Sequence, residues 1–533
     1  MKHIIWLVLK KKKDRFGKTE SLKARCVISG QHCKGFDKLT QLFCPVGQTT
    51  TFRCMIACAA QFGLEVCQLD FCQAFLQATC PTPTYVKQGV GQQKQLDENG
   101  MPLCYRVDKA QYGLPFAPKA WHDTIHPWLL QFGFTRSQSD SCLYTYENGE
   151  TRMDLLLYVD DCCITFDKAT SADIYKKFLT ELSATFKYTG GGPAEHFLGF
   201  GISRDRELGQ IQLDQHGFVE QMLADYNVKK DVTQLIPAAA GNLLGMNLCP
   251  PPGAEGDDER EYMRTRKFRA VIGSLLWLSR GSRPDLAWIT GMLSRVLHNP
   301  GRLHWFAARV ALQYVSTTRD QKLTYRRSSN GHILSSSVDA DFLPAYGNQF
   351  DNWKSTTGWV CRFAGGAVSW RSRRQDTVAT STPHAECLAA FDCSREVLHL
   401  RELLHDLGAV QRAPTILEED NQSLIRITLN TGGEADRIKH WDYKVHWLRE
   451  QIQKGSISFA WVATVDQMAD SFTKPLPRPA LEAQRDHNMG IKPLNYTVHD
   501  KIFRDNADKF AAKTTLAVNY FAHYTMIRTK SFG

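Results

Sequence analysis

Asp160 and Asp161 stand side by side between two apolar runs, Leu155-Leu156-Leu157-Tyr158-Val159 and Cys162-Cys163-Ile164-Thr165-Phe166. Each run reads as a buried β-strand, with the acids at or next to the turn between them. Two adjacent carboxylates repel, and flanks this apolar leave them little solvation, so a divalent cation is their natural partner. An ordinary hairpin with an Asp-Asp turn would need no metal. A third acid argues for one. Leu64-Glu65-Val66-Cys67-Gln68-Leu69-Asp70 is another apolar strand ending in a carboxylate, followed by Phe71-Cys72-Gln73-Ala74-Phe75-Leu76. Three carboxylates on strand ends suit a two-metal phosphoryl-transfer site, whose ions lie roughly 3.5–4 Å apart.

The elements that must position these acids follow from the patterning. Mixed strand and helix signals fill residues 1 to about 190, and Met1–Leu9, which runs into Lys10-Lys11-Lys12-Lys13, is read as a strand. Gly190-Gly191-Gly192-Pro193 reads as a chain breaker and a boundary. Phe197–Ile202 and Gly209–Leu213 read as a hairpin, and Phe218–Tyr226 as a helix. Cys249–Glu259 reads as an acidic, mobile Pro/Gly-rich loop. Helical patterns are predicted over Tyr262–Arg280, Pro284–His298 and His304–Ser316. From about Lys322 the pattern becomes strand-rich, with helices near 384–407, 421–430 and 440–453.

The chain of 533 residues has room for three or more domains. A hydrophobic fraction of 43% and a charged fraction of 23% are those of a soluble globular protein. No apolar stretch approaches the roughly 20 residues that a membrane-spanning helix needs. The net charge of +10 suits a polyanionic partner. The 16 cysteines form no Cys-x-x-Cys, and their spacings fit neither a disulfide framework nor a zinc site. They read as reduced, mostly buried thiols of an intracellular protein.

Tyr158-Val159-Asp160-Asp161 with Gln68-Leu69-Asp70 and Ala74-Phe75-Leu76 resembles the reverse transcriptase of copia-type LTR retrotransposons, and further blocks fall in that family's order. They are Leu22-Lys23-Ala24-Arg25-Cys26-Val27, Tyr112-Gly113-Leu114, Ala117-Pro118-Lys119-Ala120-Trp121, Phe197-Leu198-Gly199 and Val271-Ile272-Gly273-Ser274-Leu275. Arg283-Pro284-Asp285, His304-Trp305 and Ala469-Asp470-Ser471-Phe472-Thr473-Lys474-Pro475-Leu476 continue the match. The resemblance implies an α/β (α+β) chain: a right-hand polymerase followed by a connection and an RNase H-like domain. Fingers and palm would occupy 1–190, thumb and connection 191–325, and the RNase H-like domain 326–490. Residues 491–533 are an unassigned tail. It also implies a fragment of a longer polyprotein with its remaining parts upstream, in a cytoplasmic particle or the nucleus and not secreted.

By that resemblance, Asp70, Asp160 and Asp161 hold two Mg²⁺ ions, with Mn²⁺ as a substitute. Phe75 would press on the nucleotide sugar and exclude a 2′-OH. Lys23 and Arg25 alternate on one strand face, so both can meet a triphosphate, and the planar fork of Arg suits phosphate. Tyr112 and Gly113 would line the nucleotide pocket, with Lys119 near the nucleic acid. Asp339, Glu386, Asp420 and Asp470 match the RNase H acids in order and would hold a second pair of Mg²⁺ ions, with Asp341 as a rival to Asp339. Arg371, Arg373 and Arg374 would follow the hybrid backbone, and Lys439 and His440 belong to another block of the family. The implied partners are an RNA template, a DNA primer, the RNA–DNA hybrid and dNTPs, with no membrane.

The sequence also departs from the family. Pro115-Phe116 replaces its Lys-Gln, which removes a cation and an amide. Pro383-His384 stands in place of Glu-Ala, and Phe342-Leu343-Pro344 replaces a Trp-Ala-Gly-like stretch. These departures favour an alternative, a decayed or co-opted copy that binds nucleic acid without catalysis. The retained acids favour an enzyme.

Overall fold

The apolar runs around Asp160 and Asp161 do not alternate because both faces of their sheet are covered. The computed structural model describes residues 2–3, 5–13, 19–30, 42–88, 94–238, 244–329, 332–342, 353–429 and 442–491. Strand β1 (Thr19–Ile28) pairs with Ile5–Lys13, which bears out the strand reading of the N-terminal run. Helix α1 (Thr49–Phe62), β2 (Glu65–Phe71), α2 (Ala117–Phe132), β3 (Leu143–Asn148) and β4 (Thr151–Tyr158) follow. Next come β5 (Asp161–Phe166), α3 (Lys168–Thr185) and β6 (Tyr188–Pro193). The sheet runs β6-β2-β5-β4-β3, antiparallel throughout, with the short strand Thr135–Arg136 beyond β3. Leu156 and Cys163 join the core built on α1. Leu155, Leu157, Cys162 and Ile164 join the opposite core with Trp121 of α2 and Phe178 of α3.

The glycine run expected to break the chain is a paired strand instead. β6 lies along β2 with a bulge between Gly190 and Gly192. Gly190 has a φ of 91°, and a Cβ there would stand 2.7 Å from the Gln68 carbonyl oxygen. Glycine is what lets this edge strand bulge and still pass so close to β2.

The hairpin expected next is present as β7 (Phe200–Asp205) and β8 (Gln210–Asp214), followed by α4 (His216–Asp225). The expected acidic loop is corrected at its end: Asp257, Asp258 and Glu259 form the first turn of α5 (Asp257–Arg264). Carboxylates are favoured at a helix N-terminus, where backbone N–H groups point outward. Glu259 also accepts from the Arg302 backbone N–H at 2.6 Å. The helix predicted over Tyr262–Arg280 is therefore two, α5 and α6 (Phe268–Gly281). Helices α7 (Ala287–Ser294) and α8 (Arg302–Thr317) complete this layer, and β9 (Leu323–Arg326) returns to pair with β8.

The last unit opens with β10 (Ser335–Asp341), β11 (Thr356–Phe363), β12 (Gly366–Arg374) and α9 (Thr382–Asp406). It continues with β13 (Thr415–Glu419), α10 (Gln422–Leu429), α11 (Asp442–Gln453), β14 (Ile457–Trp461) and α12 (Arg478–Asn488). Its sheet order is β12-β11-β10-β13-β14, antiparallel across the first three strands and parallel across the last three. The helices α9, α10 and α11 lie close to the spans predicted for them. Among the described residues the cysteines are free and mostly buried, and no helix is long and apolar enough to cross a membrane.

Helix α1 joins these units. Every residue from Thr51 to Gln61 is buried, and Cys54, Ala57, Cys58, Ala59 and Ala60 are small enough to let neighbours approach on all sides. Arg53 is buried with them. It donates to the Val368 carbonyl on β12 (2.7 Å) and to the Arg280 and Gly281 carbonyls at the end of α6 (2.8 and 3.1 Å). Its guanidinium lies 4.3 Å from the centre of the Trp370 ring, and Trp370 in turn donates to the Ser279 carbonyl. A second tie holds the far end of α9. Asp406 accepts from the Ser137 and Ser139 hydroxyls at 2.6 and 3.0 Å, and its carbonyl accepts from Arg152 and Thr145.

Replacing Arg53 by Met removes the donors and leaves two buried carbonyls, of Val368 and Gly281, and the part-buried Arg280 carbonyl short of a partner. An Arg53→Met chain is expected to lose about 3–5 kcal/mol of stability and to be cut by protease between the first sheet and β10. Urea unfolding followed by tryptophan fluorescence checks this; an unchanged midpoint would contradict the role given to Arg53.

Candidate functional site

β4 and β5 form a hairpin whose turn is Val159-Asp160, with Asp161 opposite Tyr158. On its other side β5 pairs with β2 so that Asp161 stands opposite Asp70. The register therefore brings the three acids to one end of the sheet. Phe71 N–H donates to the Asp160 carbonyl at 2.7 Å, tying the turn to β2. Val159 has a φ of 58°, a region costly for a β-branched residue. Trp121 secures that conformation by donating its indole N–H to the Val159 carbonyl at 2.6 Å. Asp70 is exposed, and Asp160 and Asp161 are half-buried.

Beside these acids is a stack of three side chains. Phe75 and Tyr112 have ring centroids 4.9 Å apart, and the Arg25 guanidinium lies 5.1 Å from the Tyr112 ring centre. The Tyr112 hydroxyl is pushed above its ordinary pKa by burial and then by Asp160, while Arg25 opposes. Ile28 N–H donates to the Tyr112 carbonyl at 2.8 Å. Gly113, at a φ of 90°, faces the Ile28 carbonyl so closely that a Cβ would stand 2.0 Å from its oxygen. Only glycine permits that approach. Lys23 precedes Arg25 by two residues on β1. Pro115-Phe116, the departure noted in the sequence, places Phe116 in the core under α2. Lys119 pairs with Asp123 one turn along α2, at 2.6 Å.

The second group is buried at Asp339 and Glu386 and half-buried at Asp420. Asp339 on β10, Glu386 on α9 and Asp420 just after β13 each offer an oxygen, all within 4.8 Å of one another. It is the one such group among the described residues. Glu386 Oε2 is buried without a hydrogen-bond partner. Burial first, then Glu419, Asp339 and Asp420, push the Glu386 carboxyl well above the usual range. Asp470 opens a short 3₁₀ turn nearby, and burial and Asp339 raise it to about 7. Asp341, the rival to Asp339, lies outside the group and is raised to about 6.

Glu419 is a member of this neighbourhood that the sequence patterning passed over. It is fully buried, its Oε2 lacks a partner, and burial and nearby acids push it well up. The signal was its place beside Asp420 in Glu418-Glu419-Asp420. Glu418 is engaged elsewhere, paired with buried Arg362 at 2.8 Å and accepting from Ser337. Arg371 and Arg373 lie in the half-exposed last part of the edge strand β12, paired with Asp392 and Asp376 at 2.9 and 2.7 Å, and Arg374 follows them. Lys439 and His440 lie outside the described residues.

Both groups fit hard divalent cations. Carboxylate oxygens are the donors Mg²⁺ and Mn²⁺ take, and unpartnered buried oxygens such as Glu386 Oε2 are costly unless something pairs them.

Residues 3–240 match the family described as reverse transcriptase (RNA-dependent DNA polymerase). The chain is 33% identical over 477 residues to the Retrovirus-related Pol polyprotein from transposon TNT 1-94 of Nicotiana tabacum, covering 89% of this chain and 34% of the relative. It is 30% identical over 475 residues to the corresponding polyprotein from transposon RE2 of Arabidopsis thaliana, covering 89% and 31%. With the Transposon Ty1-LR3 Gag-Pol polyprotein of Saccharomyces cerevisiae it shares 26% identity over 430 residues, 77% of this chain and 23% of the relative. The chain thus spans about a third of the length of the plant relatives it matches.

The raised carboxyls have a consequence for stability. Asp470 binds its proton more tightly folded than unfolded, so between about pH 4 and 7 the folded chain holds more protons and loses stability as pH rises. Asp341 acts in the same direction up to about pH 6. Metal-free protein is expected to melt roughly 4–8 °C lower at pH 8 than at pH 5, with Mg²⁺ restoring more at pH 8. Asp470→Asn should flatten the profile. Melting curves that ignore both pH and this substitution would contradict the buried acidic cluster.

Proposed function

We propose, for a chain that belongs to the copia-type retrotransposon polyproteins through its reverse transcriptase region, that it polymerises DNA on an RNA template and cuts the RNA of the resulting hybrid. The observation that carries the first activity is the register of β2 and β5, with Asp70 opposite Asp161 and Asp160 in the adjoining turn. In this reading the right-hand arrangement is fingers and palm over 1–190, thumb and connection over 191–325, and an RNase H-like unit over 326–490. The sheet order β12-β11-β10-β13-β14 supports the last assignment.

Asp70, Asp160 and Asp161 would hold Mg²⁺. When bound, the metal makes the primer 3′-OH a better nucleophile and offsets charge on the triphosphate. The strained Val159 turn, pinned by Trp121, aims Asp160 and Asp161 toward Asp70. Arg25 offers its fork to the triphosphate. Its stack on Tyr112, and of Tyr112 on Phe75, keeps the Phe75 ring where a nucleotide sugar would lie, and a ring there leaves no room for a 2′-OH. Gly113 lets the backbone come close enough to line the pocket. Lys23 and Lys119 add positive charge for the triphosphate and the nucleic acid.

Asp339, Glu386 and Asp420, with Asp470 beside them, would hold the metal of the nuclease. Arg371, Arg373 and Arg374 on an edge strand suit contact with a phosphate backbone. Lys439 and His440 belong to the same reading. RNA template, DNA primer, hybrid and dNTPs are the partners, with the remaining polyprotein parts, inside the cell. A second reading, a copy that binds nucleic acid without turnover, is favoured by Phe116: the family's amide at this position would leave the core that Phe116 fills.

Mg²⁺-dependent dNTP incorporation on an RNA template with a DNA primer decides between them. Wild type should extend the primer and Asp160→Asn/Asp161→Asn should not, while hybrid cleavage persists in that variant and is lost in Glu386→Gln. Hybrid binding with no extension and no cleavage in wild type favours the non-catalytic reading. Phe75→Val should keep dNTP incorporation and raise rNTP incorporation by at least tenfold. Single-nucleotide extension with each substrate measures the ratio, and an unchanged ratio would remove Phe75 from the sugar pocket.

A further inference from the structure

The segment that carries Asp470 is built tightly onto Asp339. Gly358 on β11 stands opposite Asp339 on β10, and a Cβ at Gly358 would lie 2.6 Å from Thr473 Cγ2 and 2.8 Å from Phe472 Cβ. The absent side chain is what lets the 3₁₀ turn sit against the sheet at this point. Thr473 uses that approach to donate its hydroxyl to Asp339 Oδ2. The turn is fastened from behind as well: Gln467 donates to the Val338 carbonyl, Gln484 accepts from Ser471 N–H, and Asn488 donates to the Met468 carbonyl.

From this anchored turn Lys474 reaches back one helical step and places its ammonium 2.8 Å from Asp470 Oδ1. Its side chain is 35% exposed, against 8% for Asp470, so it has solvent to move into while the carboxylate does not. The oxygens that converge within 4.8 Å belong to Asp339, Glu386 and Asp420; Asp470 borders them through a side-chain hydrogen bond with Asp339 and carries Lys474 on its Oδ1.

We infer that Lys474 is a resident counter-cation of the nuclease cluster, holding the place beside Asp470 that a second divalent ion would take. The first ion enters at Asp339, Glu386 and Asp420. The second binds only as the ammonium swings out to solvent, so the two ions bind with unequal affinity and Lys474 sets the difference. A cation a few ångströms from an incoming divalent ion costs that ion affinity through direct repulsion and through competition for the same oxygen. The inference rests on the proposed nuclease reading and makes Lys474 a positioning residue.

The test is Mn²⁺ titration by calorimetry, with bound ions counted by electron paramagnetic resonance, on the full chain carrying Asp160→Asn/Asp161→Asn. That background silences the polymerase acids. One tight Mn²⁺ is expected, abolished by Glu386→Gln, followed by a weaker second ion. Lys474→Met should tighten the second ion by about tenfold or more and leave the first unchanged, whereas Lys474→Arg should keep the parent isotherm. Lys474→Gln replaces the Met variant if the latter does not fold, with the same expectation. A second-ion affinity unmoved by removal of the charge, or tightened equally by Lys474→Arg, overturns the role of Lys474 and leaves the metal centre standing. Binding indifferent to Glu386→Gln overturns the metal-centre reading itself, and the inference with it.

Discussion

The burial of one cation, Arg53, sets the terms for the rest of the molecule. A guanidinium removed from water must find oxygen acceptors, and those available come from β12 and from the C-terminal carbonyls of α6. The end of a helix carries partial negative charge from its unpaired carbonyls, so Arg53 is stabilised by backbone it could not reach unless α1 lay between all three units. Helix α1 can lie there because its surface is made largely of Ala, Cys and Thr. Long side chains would hold the sheets apart and leave the guanidinium without acceptors.

The two acidic groups solve opposite problems. Asp70, Asp160 and Asp161 sit at the open end of a sheet, where water screens their repulsion and the backbone register does the positioning. On the proposed reading, such a group needs little from its surroundings until a triphosphate arrives with charge of its own. Asp339, Glu386, Asp420 and Asp470, together with Glu419, are packed into a place where repulsion is barely screened. Protons and Lys474 must carry the compensation there.

Legibility in the sequence divides along the same line. The strands around Asp160 and Asp70 were visible because apolar runs and turn residues are local signals. The ordered acids of the last unit were visible only as a set, since each alone resembles a surface residue. Gly190-Gly191-Gly192 misled because glycine usually marks a turn, and here it serves a close strand pairing that only β2 explains. Asp257-Asp258-Glu259 misled because acids near proline and glycine look like loop, although the same acids favour a helix start. Arg53 gave no local sign, Trp121 stood out only as part of a family block, and Glu419 only as the neighbour of Asp420. Their importance lies in carbonyls and carboxylates from residues tens to hundreds of positions away, which no window of sequence contains.

Helix α9 spans the distance between the two halves of the molecule. Glu386 lies near the start of that helix and Asp406 at its end, where two serines, a threonine and an arginine clamp it to the first sheet. A helix is stiff along its axis, with a fixed rise per residue. The strut between clamp and carboxylate therefore has one length. On the proposed reading, a double helix lying across both centres meets a ruler: its strand would be cut at a constant interval behind the growing end, set by the protein frame and not by the order of bases.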